Sequence, residues 1–245
     1  MNAQFPRLTP INKWLIIVSV ALFFIEASLK QFAHFSLLPY MGLSLSGVSS
    51  GLIFEPFTYV FFSHGLMDVI FHALGLWFVG SELEELWGRK RYVSFLVGVS
   101  LGGALLYLLM GALFFEGMLW RFPLAGMSGP VMALFLGYAI LYPNRPFLFM
   151  FVFSVPAKYF CMILIAMSLY TGVFTPAGIG AWGHLGCMAM GVVMMKLMSD
   201  PRTKGWFSQS SGRRSASRRS HLKIVPTEKK GRDDNDKTPP PKYFQ

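Results

Sequence analysis

The sequence predicts an all-α membrane protein, a bundle of six spanning helices with both termini on the cytoplasmic side. Three observations lead there. Of the 245 residues 53% are hydrophobic and only 14% charged, with a mean hydropathy of +0.48, a balance too apolar for a water-soluble domain of this length. Apolar runs near the ~20 residues of a spanning helix recur at about 13–33, 61–80, 92–115, 128–142, 147–170 and 179–198. Lysine and arginine gather in alternate loops, as the preference of basic loops for the cytoplasm requires.

The first segment, "KWLIIVSVALFFIEASLKQF", is long and is followed by no A-x-A-like cleavage site, so it reads as an anchor and not as a signal peptide. Its Glu26 is expected to face protein or to snorkel to an interface. Arg7 and Lys13 precede it, in a short cytoplasmic N-terminus of residues 1–12. Arg89, Lys90 and Arg91 join segments two and three, and Arg145 joins four and five. Residues 34–60 and 171–178 carry no lysine or arginine, and 116–127 only Arg121, which places these loops outside. The membrane domain then spans residues 13–198.

Residues 199–245 form a polar tail with twelve basic and five acidic residues, expected to be disordered and attracted to anionic lipid. The tail supplies most of the net charge of +10, so that charge gives no reason to expect nucleic acid as a partner. Ser215 and Ser217 are its candidate phosphorylation sites. Cys161 and Cys187 both fall inside apolar segments and read as small packing residues, with no disulfide framework. The runs "FLFMFVF" and "MAMGVVMMKLM" read as lipid-facing or packing residues.

Chemistry concentrates in the stretch "PLAGMSGPVMALFLGYAILYP". Segment four enters from the outer face and begins at Ser128; segment six enters from the same face with His184 near its start. A hydroxyl is a weak nucleophile until a neighbouring imidazole takes its proton, and depth-matched Ser128 and His184 meet that need. Gly126 and Gly129 permit a backbone turn and a close approach of substrate. Pro130 is tolerated in a first helical turn, whose free N–H groups can stabilise an oxyanion. Small residues also pack membrane helices, so G-x-S-G alone is a weak signal.

Four ordered stretches carry a resemblance. "HGLMDVIFHALGLWFVGSELEELWGRKRY" holds an L-W-x-x-G-x-x-x-E-x-x-x-G pattern at Leu76, Trp77, Gly80, Glu84 and Gly88. It is followed by "GMSGPVMALFLGYAILYPN", "VPAKYFCMILIAMSLYTGV" and "WGHLGCMAMG". From about Phe57 to Val193 the chain resembles the rhomboid family of intramembrane serine proteases. The resemblance implies a six-helix bundle, a loop at the L-W pattern, and helix packing at Gly186 and Gly191. It also implies a Ser-His dyad that cuts transmembrane segments of membrane proteins near the outer face, with no cofactor. Ser128 would be the nucleophile and His184 the base, then the acid, with the Ser128 N–H in the oxyanion hole. The expected location is a bacterial cytoplasmic membrane.

The match departs from the family in segment two, where members usually carry a histidine and, four residues on, an asparagine as oxyanion donors. Here Asp68 and His72 stand in those places, after a loop one residue short. A carboxylate donates no hydrogen bond, so His72 is the expected donor, its ring oriented by Asp68 on the same helix face. The usual Trp-Arg pair before segment two is also missing, its region reading "FEPFTYVFF". Two other readings follow. His64, Asp68, His72 and His184 are metal-ligand types, but spacing by four drifts about 40° per step around a helix, which disfavours a shared ion. Loss of an oxyanion donor also fits a catalytically inactive relative that binds transmembrane helices.

Overall fold

The computed structural model describes residues 7–114, 123–149, 153–175 and 178–199. Beyond its first residue, the expected tail lies outside them, as does Arg121. Helix α1 (Pro10–Phe32) starts at a proline in its first turn, where no backbone donor is lost. A connecting loop follows with three short helices, α2 (Leu38–Met41), α3 (Leu45–Ser49) and α4 (Glu55–Thr58), and a 3₁₀ turn at Tyr59–Phe61. Next come α5 (Leu66–Gly75), a π turn at Leu76–Gly80, and α6 (Ser81–Trp87), then α7 (Arg89–Phe114) and α8 (Ser128–Leu141). The chain continues through strands β1 (Pro146–Phe149) and β2 (Phe153–Pro156) to α9 (Ala157–Phe174) and α10 (Ile179–Ser199). By length and composition, α1, the α5–α6 span, α7, α9 and α10 can each cross a membrane. Helix α8, at 14 residues, is about 21 Å long, shorter than the ~30 Å hydrocarbon layer.

The observed helices depart from expectation at two places. The L-W pattern is not a loop: the second helix runs on past residue 80 to Trp87 through the π turn and stops at Gly88, whose φ of 79° favours glycine. It continues past acidic residues because Glu84 is buried with partners. The carboxylate accepts from the Thr9 hydroxyl and, at 3.1 Å, the Asn12 side-chain amide, and lies 3.4–3.5 Å from the Ile11 and Asn12 N–H groups. It thereby caps the N-terminus of α1, a position that favours negative charge. Tyr92 donates to Asn12 Oδ1 at 2.6 Å, and Gly80 leaves the space, since a Cβ there would stand 2.6 Å from the Tyr92 hydroxyl.

The second departure is in the fifth segment. Its first part holds the antiparallel strand pair β1 and β2, Pro146 opposite Pro156 and Phe149 opposite Phe153, and the helix begins only at Ala157. Aromatic and β-branched residues suit a strand as well as an apolar helix, and the two prolines set its bounds. The side chains of "FLFMFVF" lie outside the described part. Beside the strand pair, Arg145 pairs with Glu82 of α6, and Tyr138 donates to the same carboxylate at 3.1 Å.

Antiparallel helices α7 and α10 meet through small residues, the device by which helices approach closely in lipid. A Cβ at Gly102 would stand 2.3 Å from the Met190 Cβ, one at Gly103 2.3 Å from the Cys187 Sγ, and one at Gly186 2.7 Å from the Gly102 carbonyl oxygen. Gly191 faces α8, 3.3 Å from the Ala133 Cβ by the same measure. Glu26 faces protein: its carboxylate accepts from the Ser36 hydroxyl (2.6 Å) and the Leu37 N–H (2.8 Å), tying α1 to the loop that follows. Tyr59, wholly buried, donates to the Ser100 carbonyl at 2.8 Å and anchors that loop on α7.

Candidate active site

Ser128 is the first residue of α8, and the backbone before it is held from the loop that joins α1 to α5. Leu124 and Leu43 exchange two backbone hydrogen bonds of 2.8 Å, and the Gly126 N–H donates to the Tyr59 carbonyl at 2.9 Å. Gly126 takes a φ of 115°, a conformation that side chains rarely adopt. This sharp turn brings the chain into α8 with the serine at its mouth.

His184 lies on α10, one turn and a half from its start. Its Nε2 is 2.8 Å from the Ser128 Oγ, and both side chains are half-buried. Glycine makes the approach possible. At Gly129 a Cβ would be 2.6 Å from the Cys187 Sγ and 3.6 Å from the His184 Cα, and at Gly183 2.7 Å from Leu124. Gly129 therefore acts at the helix contact and not, as expected, at the turn. Among the described residues no acidic side chain hydrogen-bonds His184.

His72 is buried on α5 and turns toward the same turn. The position of a Cβ on Gly126 would be 3.6 Å from both the His72 Cε1 and the Ser128 Oγ, and 3.7 Å from the Phe62 carbonyl oxygen. The absence of a side chain at Gly126 thus keeps open the space between imidazole and hydroxyl. Asp68 reaches the His72 and His184 imidazoles through its charge only, with no hydrogen bond to either. It is exposed, as is His64, and no hydrogen bond links it to His72, so the expected orienting contact is not formed. A carboxylate keeps its hydration there, which a buried imidazole cannot replace. Among the described residues no three of His, Cys, Asp and Glu gather closely enough to form a metal site.

The rhomboid-domain family model matches residues 50–201. The chain belongs to the rhomboid family. The match takes in every element from α4 to α10 and leaves α1 outside it. No curated protein matches the chain. Rhomboids are integral membrane proteins and generally serine proteases, and among the described residues this one is mostly helical, with five helices fit by length and composition to cross a bilayer. Sequence reasoning missed Tyr59, Leu43 and Leu124 as supports of the site, because backbone pairing between distant loops leaves no side-chain pattern. The Gly102–Gly103 pair was visible in "SLGGALL" as a close-packing signal.

Proposed function

We propose that this rhomboid is an intramembrane serine endopeptidase that cuts transmembrane segments of membrane proteins near the outer face, with Ser128 and His184 as its catalytic dyad. The observation that carries the reading is the 2.8 Å contact between Ser128 Oγ and His184 Nε2, made by residues 56 positions apart. The Oγ attacks the scissile carbonyl carbon as its proton passes to Nε2, which requires the imidazole tautomer protonated at Nδ1. The tetrahedral oxyanion takes hydrogen bonds from the Ser128 N–H, free in the first turn of α8, and from the His72 ring. His184 then protonates the leaving amine as the C–N bond breaks. Water, activated by the same imidazole, hydrolyses the acyl-enzyme and returns the proton to Ser128.

In this reading α8 completes six crossings, with both termini cytoplasmic and the tail against anionic lipid. The host would be a bacterial cytoplasmic membrane. A short α8 supports the site's depth: its first residue need not reach the surface, and water comes from the outer side. Substrates should carry helix-destabilising residues at the cleaved bond, because that bond must leave its own hydrogen-bonded helix to reach Ser128. The exposed Asp68, which as a carboxylate adds no donor beside His72, favours a second reading, an inactive rhomboid that binds transmembrane helices. Reconstitution with a single-span reporter separates the two: cleavage by the wild type and none by Ser128→Ala supports the protease, and binding without cleavage supports the other.

A further inference from the structure

The seam between α7 and α10 is unevenly filled on its lipid side. Gly98 of α7 projects no side chain, and a groove of about 680 Å³ runs beside it toward the start of α7. Val93, Val97, Gly98 and Met194 line it with apolar surface, Ser94 adds a hydroxyl, and Arg89 and Lys90 stand at its mouth. Val93 and Val97 are each 42% exposed on α7, a helix long and apolar enough to span a membrane, and present apolar surface outward. Arg89 and Lys90 are exposed and, among the described residues, form no ion pair. On α10, Met194 lies ten residues beyond His184, about 15 Å along the axis, so the groove is separate from the site at Ser128.

We propose that this groove binds one anionic phospholipid, its phosphate held by Arg89 and Lys90 and an acyl chain lying along Val93, Val97, Gly98 and Met194. Charge and shape both select that occupant. Two unpaired cations at the bilayer surface attract a phosphate that bears net negative charge, and the apolar channel below them leads into hydrocarbon, where the chain already resides. The groove is shallow and open on its lipid side, as a lipid-facing site would be. A zwitterionic lipid fills the channel equally well but leaves the two cations uncompensated. The bound lipid would bridge α7 and α10 at the end opposite His184.

Native mass spectrometry of the full-length protein, titrated with phosphatidylglycerol or with phosphatidylcholine, tests this. The wild type should retain one phosphatidylglycerol in preference to phosphatidylcholine. Arg89→Gln with Lys90→Gln should weaken that binding roughly thirtyfold, by the attraction expected of two basic residues at a lipid surface. Lys30→Gln with Lys158→Gln, which removes the same charge from exposed positions on α1 and α9, should leave it unchanged. Val97→Trp, a lipid-facing change that blocks the channel, should lose the tightly held lipid with both cations intact. Equal retention of the two lipids, undiminished binding in the Arg89/Lys90 variant, or an equal loss in the Lys30/Lys158 variant would each overturn the proposal.

Discussion

Gly129 lies so close to Cys187 that a Cβ on the glycine would stand 2.6 Å from the cysteine sulfur, and this contact sets the approach of α8 to α10 beneath Ser128 and His184. Gly129→Ala should force the helices apart, with an overpacking cost of about 1–3 kcal/mol. Probe labelling of Ser128 should fall with it. Adding Cys187→Ala removes the colliding sulfur, leaving a contact of 3.3 Å to its Cβ, and should restore both stability and labelling. If the second change gives no rescue, the contact does not set the dyad.

Glu84 joins α1 to the rest of the bundle through the Thr9, Ile11 and Asn12 contacts. Glu84→Ala leaves these buried donors unpaired and should lower stability by about 2 kcal/mol or more. Glu84→Gln, which keeps an acceptor oxygen, should lose less. Unfolding midpoints in detergent measure the difference, and equal midpoints for all three proteins would contradict the capping role.

Glu55 is fully buried in the loop between α1 and α5. One carboxylate oxygen accepts from the Ser44 N–H at 3.0 Å, and the other has no hydrogen-bond partner among the described residues. Burial pushes its carboxyl above the ordinary value of 4.5, with the Ser44 hydrogen bonds opposing. A raised value means that the folded state prefers the protonated acid. Its contribution to stability is therefore fully present below about pH 4.5 and is lost as pH rises through the raised value. Glu55→Gln should flatten this part of the pH dependence of the unfolding temperature and match or exceed the wild type at neutral pH. The same slope in both proteins would show that Glu55 does not titrate in this way.

His72 and Asp68 should separate in their effects. If the His72 ring donates to the oxyanion, His72→Ala should lower turnover about 10²- to 10³-fold, with His72→Asn, which keeps a donor, falling less. Asp68→Ala should change turnover little, since Asp68 is exposed and makes no hydrogen bond to His72. Reporter cleavage rates in liposomes read both.

Much of this was legible in the sequence because bilayer physics is severe. Runs that span it must be long and apolar, so α1, α7 and α10 lie within a few residues of their expected limits. Depth suggested the pairing of Ser128 and His184, since Ser128 begins one helix and His184 lies near the start of another, both expected to enter from one face, and the family resemblance sharpened it. The paired strands β1 and β2 were hidden because hydrophobicity without periodicity suits a buried strand and a helix alike. The extension to Trp87 was hidden because Glu84 looks like a helix-ending charge until its partners on α1 are known. Asp68 illustrates a further limit. Spacing by four puts two residues on one helix face, but whether they touch depends on what surrounds each.

The most direct test of the account is labelling of the detergent-purified protein with a fluorophosphonate probe, which reacts with a serine only when its hydroxyl is activated. Wild type should label, and Ser128→Ala and His184→Ala should not, each variant keeping the unfolding temperature of a folded bundle. Absence of labelling in the wild type, beside clear labelling of an active rhomboid in the same detergent, or labelling that persists in Ser128→Ala, would contradict the assignment of Ser128 and His184 as the dyad.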